Sequence, residues 1–414
     1  METVPFIFSC LLEAQITKIL HVMNDSVPWV GGYTSRSKSI VTHQQRIGME
    51  PYVVTSVRQG PTVKDREQID GITYFRTKWS GTNLLKKVPL FGLLKELSLF
   101  YTRIRDVVKE VSPDILHASS PVLCAIPALM AVRKMDIPLV YEIRAFWEDA
   151  AVASGKFTEN SLKYRLIRIL ETIVCRHADR IVPISWAMKE DLLARGIPKN
   201  KLFVVPNGVD GLNFAPKARN QNLFARMGLS GKTVLGYLGT FYDFEGIDDL
   251  IRAFEMLYKH QKDIALLLIG GGEMEQPIRD QVKRLRNPNV VLMKKVPPEA
   301  VPDYYALMDI VIYPRKSSRI TDMTTPLKPL EAMALGKPVI CSAVGGLKEL
   351  VGSDNGLFFT PGNNRELINC CRRLMQSPEL AARLAASGKK RALLERNWTQ
   401  IVEKYVSVYN IARK

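Results

Sequence analysis

The chain is predicted to fold as an α/β protein of two halves, each a parallel sheet flanked by helices, and three observations carry that prediction. Its 414 residues exceed what one compact core holds and suit two domains of roughly 200 residues each. Short apolar runs of strand character alternate with helical patterns, as parallel strands joined by crossover helices require. That alternation pauses at LFVVPNG, residues 202–208, and then starts again.

In the first series, residues 19–22, 51–57 and 72–76 read as strands, followed by 114–118, 138–142 and 180–184. Helical patterns at 35–47 and 93–111 separate several of them. Beyond a junction near Pro206 to Pro216, strands are expected at 234–238, 265–269, 290–293, 310–313 and 338–341. Helices at 247–259, 274–285 and 301–308 lie between them. Two Rossmann-like halves are the economical reading, and such folds bind ligands beyond the carboxyl ends of their strands. The halves are not a sequence repeat.

Composition narrows the function classes. A net charge of +17 points to an anionic partner: nucleic acid, anionic lipid or a nucleotide-sugar phosphate. No helix-turn-helix, RNA-binding or zinc-finger signature occurs, and aromatics are not interleaved with the basic residues, so lipid and phosphate are favoured over nucleic acid. Cys10, Cys124, Cys175, Cys341, Cys370 and Cys371 lack metal-ligand spacing, and the one close pair is adjacent. Reduced, buried thiols in a cytosolic protein are expected. Hydrophobic residues make up 46% of the chain, yet no run approaches the roughly 20 apolar residues of a membrane span. The opening METVPFIFSCLLEAQ has no basic start and no clean small-residue cleavage site, so a signal peptide is not expected. Residues 83–95 mix apolar and basic side chains. They read either as a loop feeding a core-packed helix or as a membrane-surface face drawn to anionic lipid by Lys86, Lys87, Lys95, Arg103 and Arg105.

The most informative stretch is TTPLKPLEAMALGKPVICSAVGGLKELV, residues 324–351. Pro326 and Pro329 pin the approach to a helix whose exposed first turn carries Lys328 and Glu331. Gly336 ends that helix and a buried strand follows. A helix N-terminus with an adjacent lysine favours an anion, and an ionised glutamate beside it can accept hydrogen bonds from a vicinal diol. Phosphate plus ribose means a nucleotide.

This run resembles the donor-site signature of retaining glycosyltransferase family 4, the two-domain GT-B enzymes. The fuller string YPRKSSRITDMTTPLKPLEAMA, residues 313–334, is most similar to the branch associated with exosortase and exopolysaccharide gene clusters. The likeness runs from about Ile19 to Trp398. It implies an acceptor-binding domain at 1–205, a donor-binding domain at 206–396, and a terminal helix at 397–414 that crosses back to the first domain.

Several residues are candidates for the site. In PWVGGYT, residues 28–34, the glycines either let the backbone approach a ligand or permit a tight turn. The resemblance places Gly31 and Gly32 at the donor diphosphate and Tyr33 near the acceptor. Where the family commonly shows His-x-His, this chain has His117 and then Ser119, which cannot be a cation. Either Ser119 contacts a sugar hydroxyl or activity is altered. YEIRAFWED, residues 141–149, offers Arg144, Glu148 and Asp149 for an acceptor or phosphate, or for pairing with one another. Most of the family supplies Arg and Lys where this chain has Thr240 and Glu245, so charge must come from Lys328, Arg315 and Arg319, helped by amides at Gly239 and Thr240. Gly271 and Gly272 allow close approach to base or ribose, and Val296 resembles the backbone contact to the base. Of the family's paired glutamates only Glu331 is present; Met323 stands at the other position, with Asp322 as the nearest acid.

The implied activity is transfer of a sugar from a nucleoside diphosphate donor to a lipid-linked or polysaccharide acceptor, with retention. The protein is then expected in the cytoplasm, associated peripherally with the inner face of the cytoplasmic membrane. No D-x-D motif occurs, so no metal is implied, and no permanently bound cofactor is expected. The alternatives are a nucleotide-sugar-binding scaffold with weak or no activity, and a GT-B epimerase or phosphorylase.

Overall fold

The computed structural model describes residues 17–60, 64–79 and 89–413. Residues 1–16 and also Lys86 and Lys87, on which part of the surface reading rested, lie outside the described residues.

The first half is a seven-stranded sheet of β1 (Lys18–Met23), β2 (Glu50–Thr55), β3 (Arg66–Ile69), β4 (Ile72–Arg76), β5 (Ile115–Ser119), β6 (Leu139–Ile143) and β7 (Arg180–Pro183). Its order is β3-β4-β2-β1-β5-β6-β7, parallel throughout except for β3 against β4. The second half is an all-parallel sheet of β8 (Thr233–Thr240), β9 (Ile264–Gly271), β10 (Val290–Met293), β11 (Ile310–Tyr313), β12 (Val339–Ser342) and β13 (Leu357–Phe359), in the order β10-β9-β8-β11-β12-β13. Strands buried on both faces read as continuous apolar runs, and IALLLIGG of β9 is buried at every position. The expected strands are therefore all present, within two residues at each end. Two were not expected. REQI of β3 is polar and largely exposed, and β13 is only three residues long, so neither leaves an apolar run to find.

Helices of the first half are α1 (Gly32–Arg46), α2 (Pro89–Val111), α3 (Val122–Val132), α4 (Trp147–Ala153), α5 (Leu162–His177) and α6 (Trp186–Ala194). Those of the second are α7 (Gln221–Arg226), α8 (Ile247–Tyr258), α9 (Glu275–Leu285), α10 (Val301–Leu307), α11 (Arg319–Met323), α12 (Lys328–Ala334), α13 (Gly345–Val351), α14 (Asn364–Gln376) and α15 (Pro378–Lys390). The last helix, α16 (Trp398–Ala412), returns to the first sheet, where Trp398, Ile401, Tyr405 and Tyr409 pack with Ile19, Ile115 and Val140. One sheet face is thus covered by α1 and α16, and the other packs with α2, α3 and α5. Cys124, Cys175, Cys341, Cys370 and Cys371 are all buried, free thiols.

In each sheet the chain order reverses beside a central strand, between β1 and β5 and between β8 and β11. In folds of this kind ligands sit beyond such reversal points, which are marked in the first sheet by the loop before α1 and the end of β5, and in the second by the end of β8 and the start of the β11–α11 connection.

Candidate active site

On the first half, Gly31 is extended (φ −177°), and a Cβ at Gly31 or Gly32 would meet nothing within 4 Å. No internal contact demands glycine there, so the tight-turn explanation loses its basis. Helix α1 starts without a side-chain cap or an acid in its first turn, which leaves its positive end open. Arg144 lies over the Tyr33 ring at 4.4 Å and donates to the Tyr33 carbonyl at 2.9 Å, Ser37 Oγ at 2.6 Å and Ser119 Oγ at 3.0 Å. Its Nε donates to Glu142 at 2.5 Å. Arg144 is thus a braced part of the crevice floor rather than a freely moving acceptor clamp.

Glu142 is the pivot of this floor. Fully buried, it also accepts from Arg36 Nε at 3.1 Å and from the Tyr405 hydroxyl. Burial opposes its ionisation, but Arg36 and then Arg144 outweigh that and hold its carboxyl well below the usual range. Arg36 further donates to the carbonyls of Val205 and Pro206 and to Asn207 Oδ1, each at 2.9 Å. One buried carboxylate therefore ties β6, α1 and α16 together, and through Arg36 the interdomain linker.

His117 and Ser119 are placed differently from the expectation. Both are fully buried. His117 Nδ1 meets the Tyr409 hydroxyl at 2.7 Å, its ring lies 4.7 Å from His21, and burial lowers its pKa. Residues 117 and 119 share one face of β5, and that face looks into the α16 interface and onto Arg144. Their side chains are enclosed by protein, and the Ser119 hydroxyl, for which a sugar contact was one of two readings, is held by Arg144.

On the second half, Gly239 (φ +154°) is required twice over: the backbone is left-handed, and a Cβ would lie 2.3 Å from Lys328 Cδ. The Lys328 side chain thus runs across the end of β8. Its ammonium donates to Tyr237 Oη at 2.6 Å and pairs with Glu245 at 2.7 Å. Arg315 grips the same carboxylate, with Nη2 at 2.9 Å and Nε at 3.4 Å. Burial opposes ionisation of Glu245, yet Arg315 and then Lys328 hold it at about 2. The glutamate at the family's lysine position is therefore the counter-ion of a lysine arriving from another element. Arg315 is 7% exposed and committed to Glu245, so it braces Lys328 rather than facing a phosphate.

Lys328 is only 17% exposed and Glu331 is half-buried, which corrects the expectation of an exposed helix turn. Spacing of i and i+3 puts both on one face of α12. The Glu331 side chain makes no hydrogen bond among the described residues, and burial, partly offset by Lys328, raises its carboxyl to about 7. The glycines at the end of β9 serve packing first. A Cβ at Gly272 (φ +150°) would come within 2.9 Å of the Phe241 carbonyl, and one at Gly271 within 2.6 Å of Glu275. Thr240 and Val296, half-buried, flank the same strand ends.

The remaining expected residues join the halves. Arg319 pairs with Asp149 at 3.0 Å and Asp191 at 2.5 Å, so it bridges α11 to α4 and α6. Glu148 is fully buried against Arg195 at 2.8 Å, and Asp149 is held by Arg319, so both acids are paired with arginines. Asp322 Oδ1 accepts from Gly345 N at 2.8 Å and caps α13. Asn207 joins the halves as well: it accepts from Arg36 and donates to the Thr325 carbonyl at 2.5 Å. Sequence reasoning missed Glu142 as the organising acid. Its signal was present, because 142 and 144 fall on one side of a strand. Arg36 carried no comparable sign.

Comparisons with known proteins bear on the family and the fold. Residues 31–208 match the glycosyl transferase 4-like domain, and residues 220–391 match glycosyl transferases group 1. A GDP-mannose-dependent alpha-mannosyltransferase of Mycobacterium tuberculosis is 25% identical, across 96% of this chain and 97% of that protein. The capsular polysaccharide biosynthesis glycosyltransferase CapM of Staphylococcus aureus is 26% identical, across 78% and 80%. The sulfoquinovosyl transferase of Arabidopsis thaliana is 25% identical, and the match spans only 65% of its length. Among solved structures, sucrose-phosphate synthase from Thermosynechococcus elongatus superposes with a TM-score of 0.77 at 19% identity, across 96% of this chain and 98% of that one. Anabaena HepE, solved with UDP and glucose, gives 0.71 at 18% identity, across 94% and 98%. At these identities the structural likeness establishes the GT-B fold.

Proposed function

The chain belongs to the glycosyl transferases of group 1 and the 4-like family, and from that premise we propose that it moves a hexosyl group from a nucleoside diphosphate sugar to a lipid-linked or polysaccharide acceptor, with retention. The observation that carries this is the pairing of Lys328 and Glu331 on one turn of α12 beside the end of β8, one a braced cation and the other an unpartnered carboxylate. An ammonium has three donors, and Glu245 and Tyr237 take two, so one is left for a phosphate oxygen. Glu331, once ionised, accepts from the ribose diol. In this reading residues 1–205 hold the acceptor, 206–396 hold the donor, and 397–414 tie the terminal helix to the first domain.

The proposed reaction breaks the bond between the anomeric carbon and the diphosphate oxygen. The acceptor hydroxyl attacks from the same face and passes its proton to the departing phosphate. The transition state accumulates charge on the diphosphate, where Lys328, the amides of Gly239 and Thr240 and the open end of α1 at Gly31 and Gly32 stabilise it. Arg144 and Tyr33 shape the acceptor side. A lipid-linked acceptor places the work at the inner face of the cytoplasmic membrane, and no helix among the described residues is long and apolar enough to cross one.

Glu331 supplies a test. Glu331→Gln should weaken nucleotide-sugar binding by about 1–3 kcal/mol. Because ribose needs the ionised acid, wild-type affinity should fall as pH drops below about 7, and the variant's should not. Stability moves the other way. The native carboxyl keeps its proton to about 7 while the unfolded one loses it near 4.5, so the native state is penalised as pH rises through that window. The ligand-free variant should be more stable than wild type by on the order of 2–3 kcal/mol above that window and equal below it. Titration calorimetry and urea denaturation read both; a variant that binds like wild type removes the ribose role.

The activity itself is tested by a mass-spectrometric screen of nucleotide sugars for binding and then turnover. Consumption of one donor with release of its nucleoside diphosphate, only when acceptor is added, is the expected result. Binding without turnover on extracted polysaccharide intermediates would instead favour a nucleotide-sugar-binding protein, and donor isomerisation without acceptor an epimerase.

A further inference from the structure

Helix α5 is amphipathic in an inverted sense. It buries Tyr164, Ile167, Glu171, Val174 and Cys175, and it turns Leu162, Leu166, Ile169 and Ile173 to solvent, 82%, 57%, 55% and 43% exposed. Steps of four, three and four residues place these on one stripe opposite the buried face. Soluble helices put polar residues there, and a contiguous apolar line marks a surface that something covers.

The surrounding charge says what covers it. Lys163, Arg165 and Arg176 are exposed beside the stripe and pair with no acid among the described residues. Glu171 is the helix's one acid. It is fully buried, hydrogen-bonded to the Tyr141 hydroxyl at 2.5 Å, and burial pushes its carboxyl up to about 8. The outer face of the helix therefore offers hydrocarbon flanked by its own basic side chains, with Arg168 paired to Asp191. Two copies set stripe to stripe would bring these cations together, whereas an anionic bilayer complements them. Neighbouring helices of the same layer extend the face: α3 packs against both α2 and α5, and Met130, Phe91 and Leu94 on α3 and α2 are also exposed.

We propose that α5 docks the protein on an anionic lipid bilayer, its leucine and isoleucine side chains entering the interfacial layer while Lys163, Arg165 and Arg176 meet the headgroups. The choice of a bilayer as occupant rests on the reading of a lipid-linked acceptor; the exposed stripe does not. It adds a second element to the membrane face expected of the basic and apolar stretch at 83–105.

Co-sedimentation of the full-length protein with vesicles tests this. Binding should be stronger to phosphatidylcholine mixed with phosphatidylglycerol than to phosphatidylcholine alone, and should weaken as salt screens the charges. Leu166→Glu with Ile169→Glu should lower partitioning about ten-fold or more, and Arg165→Glu with Arg176→Glu should lower it only where anionic lipid is present. Circular dichroism and nucleotide-sugar binding should match wild type in all variants, and Leu166→Ser with Ile169→Ser should weaken partitioning without adding charge. Binding indifferent to lipid charge and to these substitutions would overturn the proposal. So would a wild-type dimer in sedimentation velocity that the same substitutions split, because the covering surface would then be a second copy. Loss of the transferase reading, seen as no donor turnover, leaves the vesicle result standing and is read separately.

Discussion

Lys328→Ala lowers turnover about 10²–10³-fold while the free nucleoside binds nearly as before. In the proposed reaction the ammonium stands where charge grows as the diphosphate leaves, so it is expected to contribute most in the transition state and little to the base and ribose. The fold survives, because Arg315 still neutralises Glu245 through contacts at 2.9 Å and 3.4 Å. That residual pair keeps the carboxylate from becoming an uncompensated buried charge. Steady-state kinetics beside titrations of nucleoside and nucleoside diphosphate separate the effects. Equal losses for the two ligands would mean that Lys328 shapes the pocket without acting on the phosphate.

Glu142→Gln destabilises the protein by about 3–5 kcal/mol, the largest stability effect expected of a single change here. The substitution keeps the shape but leaves the guanidiniums of Arg36 and Arg144, 2% and 7% exposed, without their shared counter-charge. It also weakens the anchor of α16, since the Tyr405 hydroxyl is bonded to this carboxylate. The sign with pH follows from a native carboxyl held well below its ordinary value. Its stabilisation is complete above the unfolded carboxylate range and fades as pH falls toward the native value, so wild type and variant converge in acid. Urea denaturation at several pH values measures the difference, and hydrogen exchange should show faster opening of 398–412. A change under about 1 kcal/mol at neutral pH would contradict the pivot role.

Much of the fold was legible because most strands are buried on both faces. Residues 290–293 and 310–313 were bounded to the residue, since apolar runs between polar loops leave little choice. Helix α11 and the short α13 were not read, being held by Asp322 on Gly345 and by glycines at 345 and 346 that let α13 rest against the backbone of residues 321–324. Within the site, Lys328, Glu331 and Gly239 could be picked out because their types fit an anion and a diol. Their partners could not. Whether Arg319 faces a phosphate or the acids Asp149 and Asp191 depends on how two distant halves meet, and local sequence carries no trace of that. Ser119 and His117 stood at a strand end, the right place in the fold, but side-chain direction there is set by the packing of α16. Glu245 looked like a lost cation and is instead the acid that holds Lys328 and Arg315 in place.

Proton NMR of the first-formed product from one donor of known anomeric configuration tests the central claim most directly. Same-face attack assisted by the leaving diphosphate, stabilised by Lys328, predicts that the glycosidic proton keeps the donor's configuration. An inverted product would require a general base opposite the leaving group and would contradict the account of this site.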